Sequence, residues 1–258
     1  MSDEEWTDRG EEGHADDPNR RPGDAAPGEP PPDQGEAGVP AFPRRALWTV
    51  FSPGRLGDVL AEHPVWAVAL VVGAVLVVTQ TMLIPPEIWE ASFRAQMLEQ
   101  GREMAEGFAF GGNFARLLTL TFGTLGFFVF ALVFAGLTMV LFVFILGDEG
   151  RFKQYLAVTA HAWLIPGLVG LLLVPLRISE QNPQLTLNVA TFFYFLPEGY
   201  FTKVLTMLDL SQLWAWVVIA HGAAAIDARR SIGSATGSLL AMAVLLAMVF
   251  ALFVPTPG

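Results

Sequence analysis

The 258-residue chain contains no cysteine, only two lysines and only 16% charged residues. Without cysteine it can form neither a disulfide framework nor a thiolate metal site, and it has no cysteine nucleophile. A soluble domain usually carries about 25% charged residues, whereas here 53% of residues are hydrophobic and the mean hydropathy is +0.47. This scarcity of charge predicts a membrane protein.

Signatures of the common enzyme classes are also missing from the sequence. It contains no GxxxxGK[ST] phosphate loop, no HExxH, no GxSxG elbow and no GxGxxG fingerprint. The basic residues form no nucleic-acid-binding patch. We therefore expect a protein that is not an enzyme, has no cofactor or metal, and binds no nucleic acid.

Most of the acidity lies at the N-terminus. Residues 1–43 hold twelve acidic residues and three arginines, a net charge of −9 within a total of −10. They also include the proline-rich stretch EPPPDQGEAGVP. Because so little apolar surface is available to offset the entropy of ordering, we predict a disordered acidic tail over 1–43 and a membrane domain over 44–258.

Five apolar segments in the remaining chain set the predicted fold class. Segments of this kind are about the length that a hydrocarbon core of roughly 30 Å requires. We predict spans at about 65–84, 117–146, 155–176, 210–226 and 232–254. The fold class is therefore all-α, a polytopic helical membrane protein with five transmembrane helices and a disordered acidic N-terminal tail. Pro166 should kink the third span because proline lacks an amide proton.

The segments around these spans predict surface elements and an orientation. Residues 44–62 form two short helices that we expect on the membrane surface, with Arg44, Arg45 and Arg55 among lipid phosphates. Residues 182–207 are expected to form a partly immersed loop or an interfacial helix. Basic residues favour the N-terminal side of the membrane, which predicts a bacterial cytoplasmic membrane protein with its N-terminus cytoplasmic and its C-terminus outside.

A polar turn, GDEGRFKQ, separates the second and third spans on the predicted cytoplasmic side. Glycines here permit a tight reversal, and basic residues face the cytoplasm. We regard this compact charged turn as the candidate partner-binding element. Its residues are Gly147, Asp148, Glu149, Gly150, Arg151, Phe152 and Lys153.

Two histidines fall inside predicted spans at similar depths, His161 in the third and His221 in the fourth. Ionisable groups within a bilayer are costly, so they suggest a function. One interpretation is a polar pair that forms a proton-sensitive contact or a weak metal site. The other is that each imidazole only hydrogen-bonds a nearby hydroxyl or backbone carbonyl and helps packing.

Small residues and one carboxylate suggest helix contacts and a helix cap. The candidate helix-contact glycines, which serve either packing within the chain or self-association, are Gly167, Gly170, Gly222, Gly233 and Gly237. Asp209 precedes the fourth span and is expected to cap it, although a polar pair with Lys203 is an alternative.

Three segments in order resemble the Yip1-domain family of five-span membrane proteins: LWTVFSPGRLGDVLAEHPVW, LGDEGRFKQYLAVTAHAWLIP and LTMLDLSQLWAWVVIAHGAAA. The resemblance covers about four fifths of the chain. It implies five spans, a cytosolic N-terminus and mutual association. Eukaryotic members work with Rab-type GTPases, but the acidic tail here lacks their docking segment, so Rab binding is not carried over.

Two functional hypotheses follow. The first is a non-enzymatic membrane organiser or adaptor of Yip1 type that acts through helix contacts and cytoplasmic loops. Its partners would be the lipid bilayer and either further copies of the chain or another membrane protein. The alternative is a transporter or permease subunit that uses a polar seam around His161 and His221.

Overall fold

A computed structural model describes residues 38–99 and 112–253, and these residues contain helices but no β-strand. The helices are α1 (Phe42–Phe51), α2 (Pro53–Glu62), α3 (Ala67–Leu83), α4 (Pro86–Glu99), α5 (Gly112–Met139), α6 (Phe152–Ala162), α7 (Leu164–Leu172), α8 (Val174–Ser179), α9 (Tyr200–Met207), α10 (Leu210–Ile226) and α11 (Ile232–Ala251). A π-helical turn, Val140–Ile145, continues α5, and a short 3-10 helix, Val189–Phe193, lies before α9.

Within the described residues, three helices are long and apolar enough to cross a bilayer: Gly112–Ile145, Phe152–Leu172 and Ile232–Ala251. A fourth crossing is possible if α3 and α4, which meet at an angle of 92°, count as one broken span. At 17 residues, α10 is apolar but shorter. The chain is thus a helical protein with three or four candidate spans, which fits a membrane-embedded protein.

Several predicted boundaries coincide with helix ends. The predicted fourth span has the bounds of α10, and the first encloses α3. The second begins earlier than predicted, at Gly112, and the last helix ends at Ala251. Of the predicted tail, residues 1–37 lie outside the described residues, whereas Val39 is buried and Phe42 already belongs to α1.

The predicted third span is divided into α6, α7 and α8. The first break lies at Trp163, and Pro166 falls within the first turn of α7. An amide in the first turn of a helix has no carbonyl partner in that helix, so proline is tolerated there. The kink expected at Pro166 is therefore replaced by a helix break at Trp163, about one turn earlier in the chain. A second break, at Leu173 before Pro175, was not predicted.

The centre of the bundle is α10, whose neighbours are α2, α6, α7 and α11. Val218, Ile219 and Ala220 in the middle of α10 are almost completely buried. In α2, Leu56 and Leu60 are fully buried against this helix. The buried leucines of α2 are therefore used for packing on α10.

A glycine permits that close approach. A Cβ added to Gly57 of α2 would lie 2.9 Å from the carbonyl oxygen of His221 in α10. No larger residue fits there without displacing a backbone. In α1, in contrast, Leu47 and Phe51 are exposed beside Arg44, as expected for a helix lying at a membrane surface. Arg45, expected among lipid phosphates, is buried.

Candidate functional site

Two turns at the same end of the bundle bind each other. One, residues 147–151, joins the π-helical turn to α6, and the other, residues 227–230, joins α10 to α11. We call this pair of turns the turn clamp. Its residues come from regions about eighty positions apart, so the contacts between them fix the relative position of two helical hairpins.

An ion pair between Asp148 and Arg230 forms the first half of the turn clamp. Arg230 donates from Nε to Asp148 Oδ2 at 2.8 Å and from Nη2 to Asp148 Oδ1. The same guanidinium reaches Ser234 Oγ at 3.0 Å and the carbonyl of Leu146 at 3.4 Å. The Asp148 side chain is 6% exposed. The hydrogen bond to Asp148 raises the pKa of Arg230 above its usual value.

Asp227 forms the second half. Its carboxylate accepts from the Glu149 amide at 2.8 Å and from the Arg229 amide at 2.9 Å. The Arg229 guanidinium donates to both oxygens, with Nη2 at 2.7 Å from Oδ2. The Arg229 hydrogen bond, followed by that of the Glu149 amide, holds the pKa of Asp227 well below its usual range. A carboxylate with this many donors remains ionised through the physiological pH range.

The two glycines of the first turn have different roles. Gly147 has φ +72°, a left-handed conformation that favours glycine. Gly150 instead allows close packing, because a Cβ there would lie 2.8 Å from the Tyr155 ring and 3.0 Å from Ile226. The predicted tight reversal therefore depends on both positions, for different reasons.

Some residues of the predicted partner-binding turn make contacts within the protein, and the others are exposed. Asp148 and Gly150 are used in contacts within the protein. Exposed side chains are those of Glu149, Arg151, Phe152, Lys153 and, from the second turn, Arg229. Glu149 and Arg229 approach to 3.7 Å while remaining 88% and 66% exposed. The turn clamp thus presents a rigid surface of mixed charge.

Gln154 ties this surface to α2. Its Nε2 donates to the carbonyl of Ala61 at 2.7 Å, and its Oε1 accepts from the Arg151 amide at 2.8 Å. One side chain therefore provides a hydrogen-bond partner for a backbone amide at the N-terminus of α6 and for a backbone carbonyl in the last turn of α2. This contact could not be predicted from the sequence, because Ala61 lies 93 residues earlier.

The two histidines have separate surroundings. The His161 ring is fully buried, its Nδ1 lies 2.8 Å from the carbonyl of Ala157, and Phe42 of α1 packs against it with ring centroids 6.1 Å apart. His221 lies beside Gly54 of α2. Both residues are in the described part of the chain, and no hydrogen bond or ring contact joins them. The structure therefore shows no direct contact between the two imidazoles.

Three of the five candidate helix-contact glycines lie at close contacts. A Cβ on Gly222 of α10 would overlap Val158 of α6, one on Gly170 of α7 would overlap Gln80 of α3, and one on Gly167 would lie 3.0 Å from Leu76. Gly233 and Gly237 have open space instead. Only the first three glycines are needed for packing within the chain.

Asp209 begins α10 at the end opposite the turn clamp. Its Oδ1 accepts from the amides of Ser211 at 2.8 Å and Gln212 at 3.0 Å, the geometry of an N-cap. On either side of it, the Leu210 amide donates to Leu187 and the Val189 amide to Leu208. These bonds attach the preceding irregular segment to the start of α10.

Arg177 of α8 supports the same end. It donates from Nε to the Leu185 carbonyl at 3.0 Å and from Nη1 to Gln80 Oε1 at 2.9 Å. In the segments 38–99 and 112–253, no three His, Asp or Glu side chains come close enough to share a metal ion.

The ion-pair partners of the predicted turn were not predicted from the sequence. In the sequence, Asp227 and Arg230 are simply charged residues that follow the predicted fourth span. The predicted topology places both turns on the same side of the membrane, and both contain acidic and basic residues. These two features favour a contact between the turns but do not determine which residues pair. No family model, curated protein or solved structure matches the chain.

Proposed function

We propose that the chain is a non-enzymatic integral membrane protein of Yip1 type that acts as an organiser or adaptor. The turn clamp carries this proposal. Binding of a partner is favoured when the docking surface is already ordered, since less conformational entropy is lost. Two ion-paired turns with outward-pointing Glu149, Arg151, Lys153 and Arg229 provide such a surface.

Five membrane crossings are part of the proposal, by α3, α5, the α6–α8 segment, α10 and α11. The 17 residues of α10 span about 25 Å at 1.5 Å per residue, slightly less than a hydrocarbon core of about 30 Å. Its burial among four other helices supports a transmembrane position. In this arrangement the turn clamp and the N-terminus face the cytoplasm of a bacterial inner membrane.

The orientation can be tested directly because the chain has no cysteine. Lys153→Cys in the turn region and Arg94→Cys in α4, both at exposed positions, serve as single reporters. A membrane-impermeant maleimide added to intact cells should label Cys at position 94 and should label position 153 only after the membrane is opened. Labelling of position 153 in intact cells would contradict the proposed orientation.

Partner binding is tested by charge reversal at exposed positions only. Alanine at Asp148 would also break the ion pair with Arg230, so Arg151→Glu with Lys153→Glu is the better variant. Arg94→Glu is the control, at an exposed cation near the other end. Proteins crosslinked to the full chain in native membranes should be recovered with the control and lost with the double variant. Equal recovery from all three proteins would refute the adaptor proposal.

The transporter alternative has weaker support. It needs His161 and His221 to face one path, whereas His161 lies against Phe42 of α1 and His221 beside Gly54 of α2. Solute or proton flux in liposomes that is lost in both His161→Ala and His221→Ala would restore it. Absence of flux in liposomes containing the wild-type chain would eliminate it.

A further inference from the structure

A large apolar cleft of about 710 Å³ lies between α5, α10 and α11. Its walls are residues of α5 from Phe122 to Phe134, of α10 from Asp209 to Trp216 and of α11 from Ala243 onward. Gly123 and Gly126 of α5 line it, so α5 contributes no side chain at these two positions. The cleft is separate from the turn clamp, which lies beyond the opposite end of α10.

Two of the helices that form the cleft have largely exposed apolar surfaces. Only 22% of the apolar window of α5 and 28% of that of α11 are buried, against 67% for Phe152–Leu172. From Ala243 to its end at Ala251 the wall of α11 extends about 12 Å. That length is slightly less than half of a hydrocarbon core of about 30 Å. The cleft is therefore about as long as the acyl region of one leaflet is deep.

Polar groups occur at one end of the cleft. Asp209 and Gln212 line it at the start of α10, and the other lining residues are almost all apolar. The hydrogen bonds that described residues donate to the Asp209 side chain all go to Oδ1. Oδ2 retains the capacity to accept from a donor in the cleft. An occupant with an apolar chain and a cationic donor at one end complements this pattern.

We propose that the cleft binds a membrane phospholipid with an amine headgroup, phosphatidylethanolamine, with an acyl chain between α5 and α11 and its ammonium near Asp209. An anionic headgroup would be repelled by the Asp209 carboxylate. The proposal does not depend on the adaptor function, and either can fail alone.

The position of the acyl chain is tested with a pair of glycine variants in α5. A Cβ at Gly126 or at Gly136 meets no atom within 4 Å, but only Gly126 lines the cleft. Gly126→Leu should fill the cleft, and Gly136→Leu is the matched control. The full chain is placed in nanodiscs of phosphatidylethanolamine and phosphatidylglycerol in equal parts, with a trace of phosphatidylethanolamine that carries a photoreactive acyl chain.

After irradiation, peptides covering Phe122–Phe134 and Ala243–Phe253 should be labelled most strongly in the wild type and in Gly136→Leu. Labelling should fall several-fold in Gly126→Leu. Unchanged labelling in that variant would mean bulk lipid contact only and would overturn the proposal. A change in oligomeric mass caused by Gly126→Leu without a change in labelling would identify a second copy as the occupant, which also overturns it.

The headgroup is tested with Asp209→Asn, which retains an acceptor for the N-cap and removes the charge. Lipids retained by each protein in gentle detergent are counted by native mass spectrometry. The preference of the wild type for phosphatidylethanolamine over phosphatidylglycerol should fall about threefold in Asp209→Asn, as expected for one partly exposed ion pair. An equal preference in both proteins would exclude an ammonium contact at Asp209.

Discussion

Arg230 and Asp148, 82 residues apart in the chain, form a two-point ion pair that joins the turn after α10 to the turn before α6. Arg230 is 16% exposed and Asp148 is 6% exposed. A pair this sheltered differs from a surface salt bridge, because loss of one partner leaves the other desolvated without compensation. Its geometry also depends on the planar fork of arginine.

Replacing Arg230 should destabilise the bundle. Arg230→Ala leaves the Asp148 carboxylate buried without its main donor, which costs about 1 to 3 kcal/mol. Arg230→Lys should recover only part of this, since a lysine provides one point of contact. Thermal unfolding in detergent measures both, and Lys153→Ala at an exposed position of α6 should leave Tm unchanged. An Arg230→Ala protein with wild-type Tm would show that the pair contributes nothing to stability.

Gly222 should not tolerate even one methyl group. In Gly222→Ala the Cβ would overlap Val158, and overpacking of this kind costs about 1 to 3 kcal/mol. Gly237→Ala is the control, because its Cβ meets open space and alanine favours a helix by about 1 kcal/mol. Tm should therefore fall in the first variant and stay level or rise in the second. Recovery of Gly222→Ala by Val158→Ala would confirm the steric cause.

The Asp227 half of the turn clamp should survive mild acid. Because the folded pKa of Asp227 lies below its unfolded value of about 4, its contribution to stability is fully present above that pH. The contribution is lost as pH falls through the still lower folded pKa. Hydrogen exchange of the 147–151 peptide, corrected for intrinsic rates, should stay protected between pH 8 and about pH 5. Asp227→Asn should reduce this protection at neutral pH.

Asp209 should contribute a helix cap that asparagine can replace. Asp209→Ala removes the acceptor for the Ser211 and Gln212 amides and should cost about 1 kcal/mol, whereas Asp209→Asn should cost little. The comparison of Tm values separates the cap from the charge. A loss in Asp209→Asn as large as in Asp209→Ala would mean that the carboxylate charge matters more than the capping geometry.

Local features of this fold were predictable from the sequence, and contacts between distant segments were not. The bounds of α10 follow from an apolar run between Asp209 and Asp227, both of which act within a few residues of the helix ends. The pairing of Asp148 with Arg230 could not be chosen from several charges in the same two loops. The cleft could not be predicted from the sequence for a similar reason, since its walls come from three helices that are distant from one another in the chain.

The two histidines show what a count of residues along a predicted span leaves undetermined. Counting residues from the predicted membrane surface places His161 and His221 at one level, but depth does not specify the direction in which a side chain points. Direction depends on helix rotation, which is set here by contacts such as Gly222 with Val158 and Gly57 with α10. Phe42 of α1 contacts the His161 ring, and Gly54 of α2 lies near His221.

The packing of α2 on α10 has a consequence for biogenesis. Gly57 of α2 packs against the backbone of Gly222 in α10. Because these residues are 165 positions apart, the ribosome synthesises α2 well before α10. At about 5 to 20 residues per second, a ribosome needs roughly 10 to 30 s to cover that interval. Throughout it, Leu56 and Leu60 lack their final contacts, and a lipid surface or an insertion factor must shelter them until the hairpin of α10 and α11 arrives.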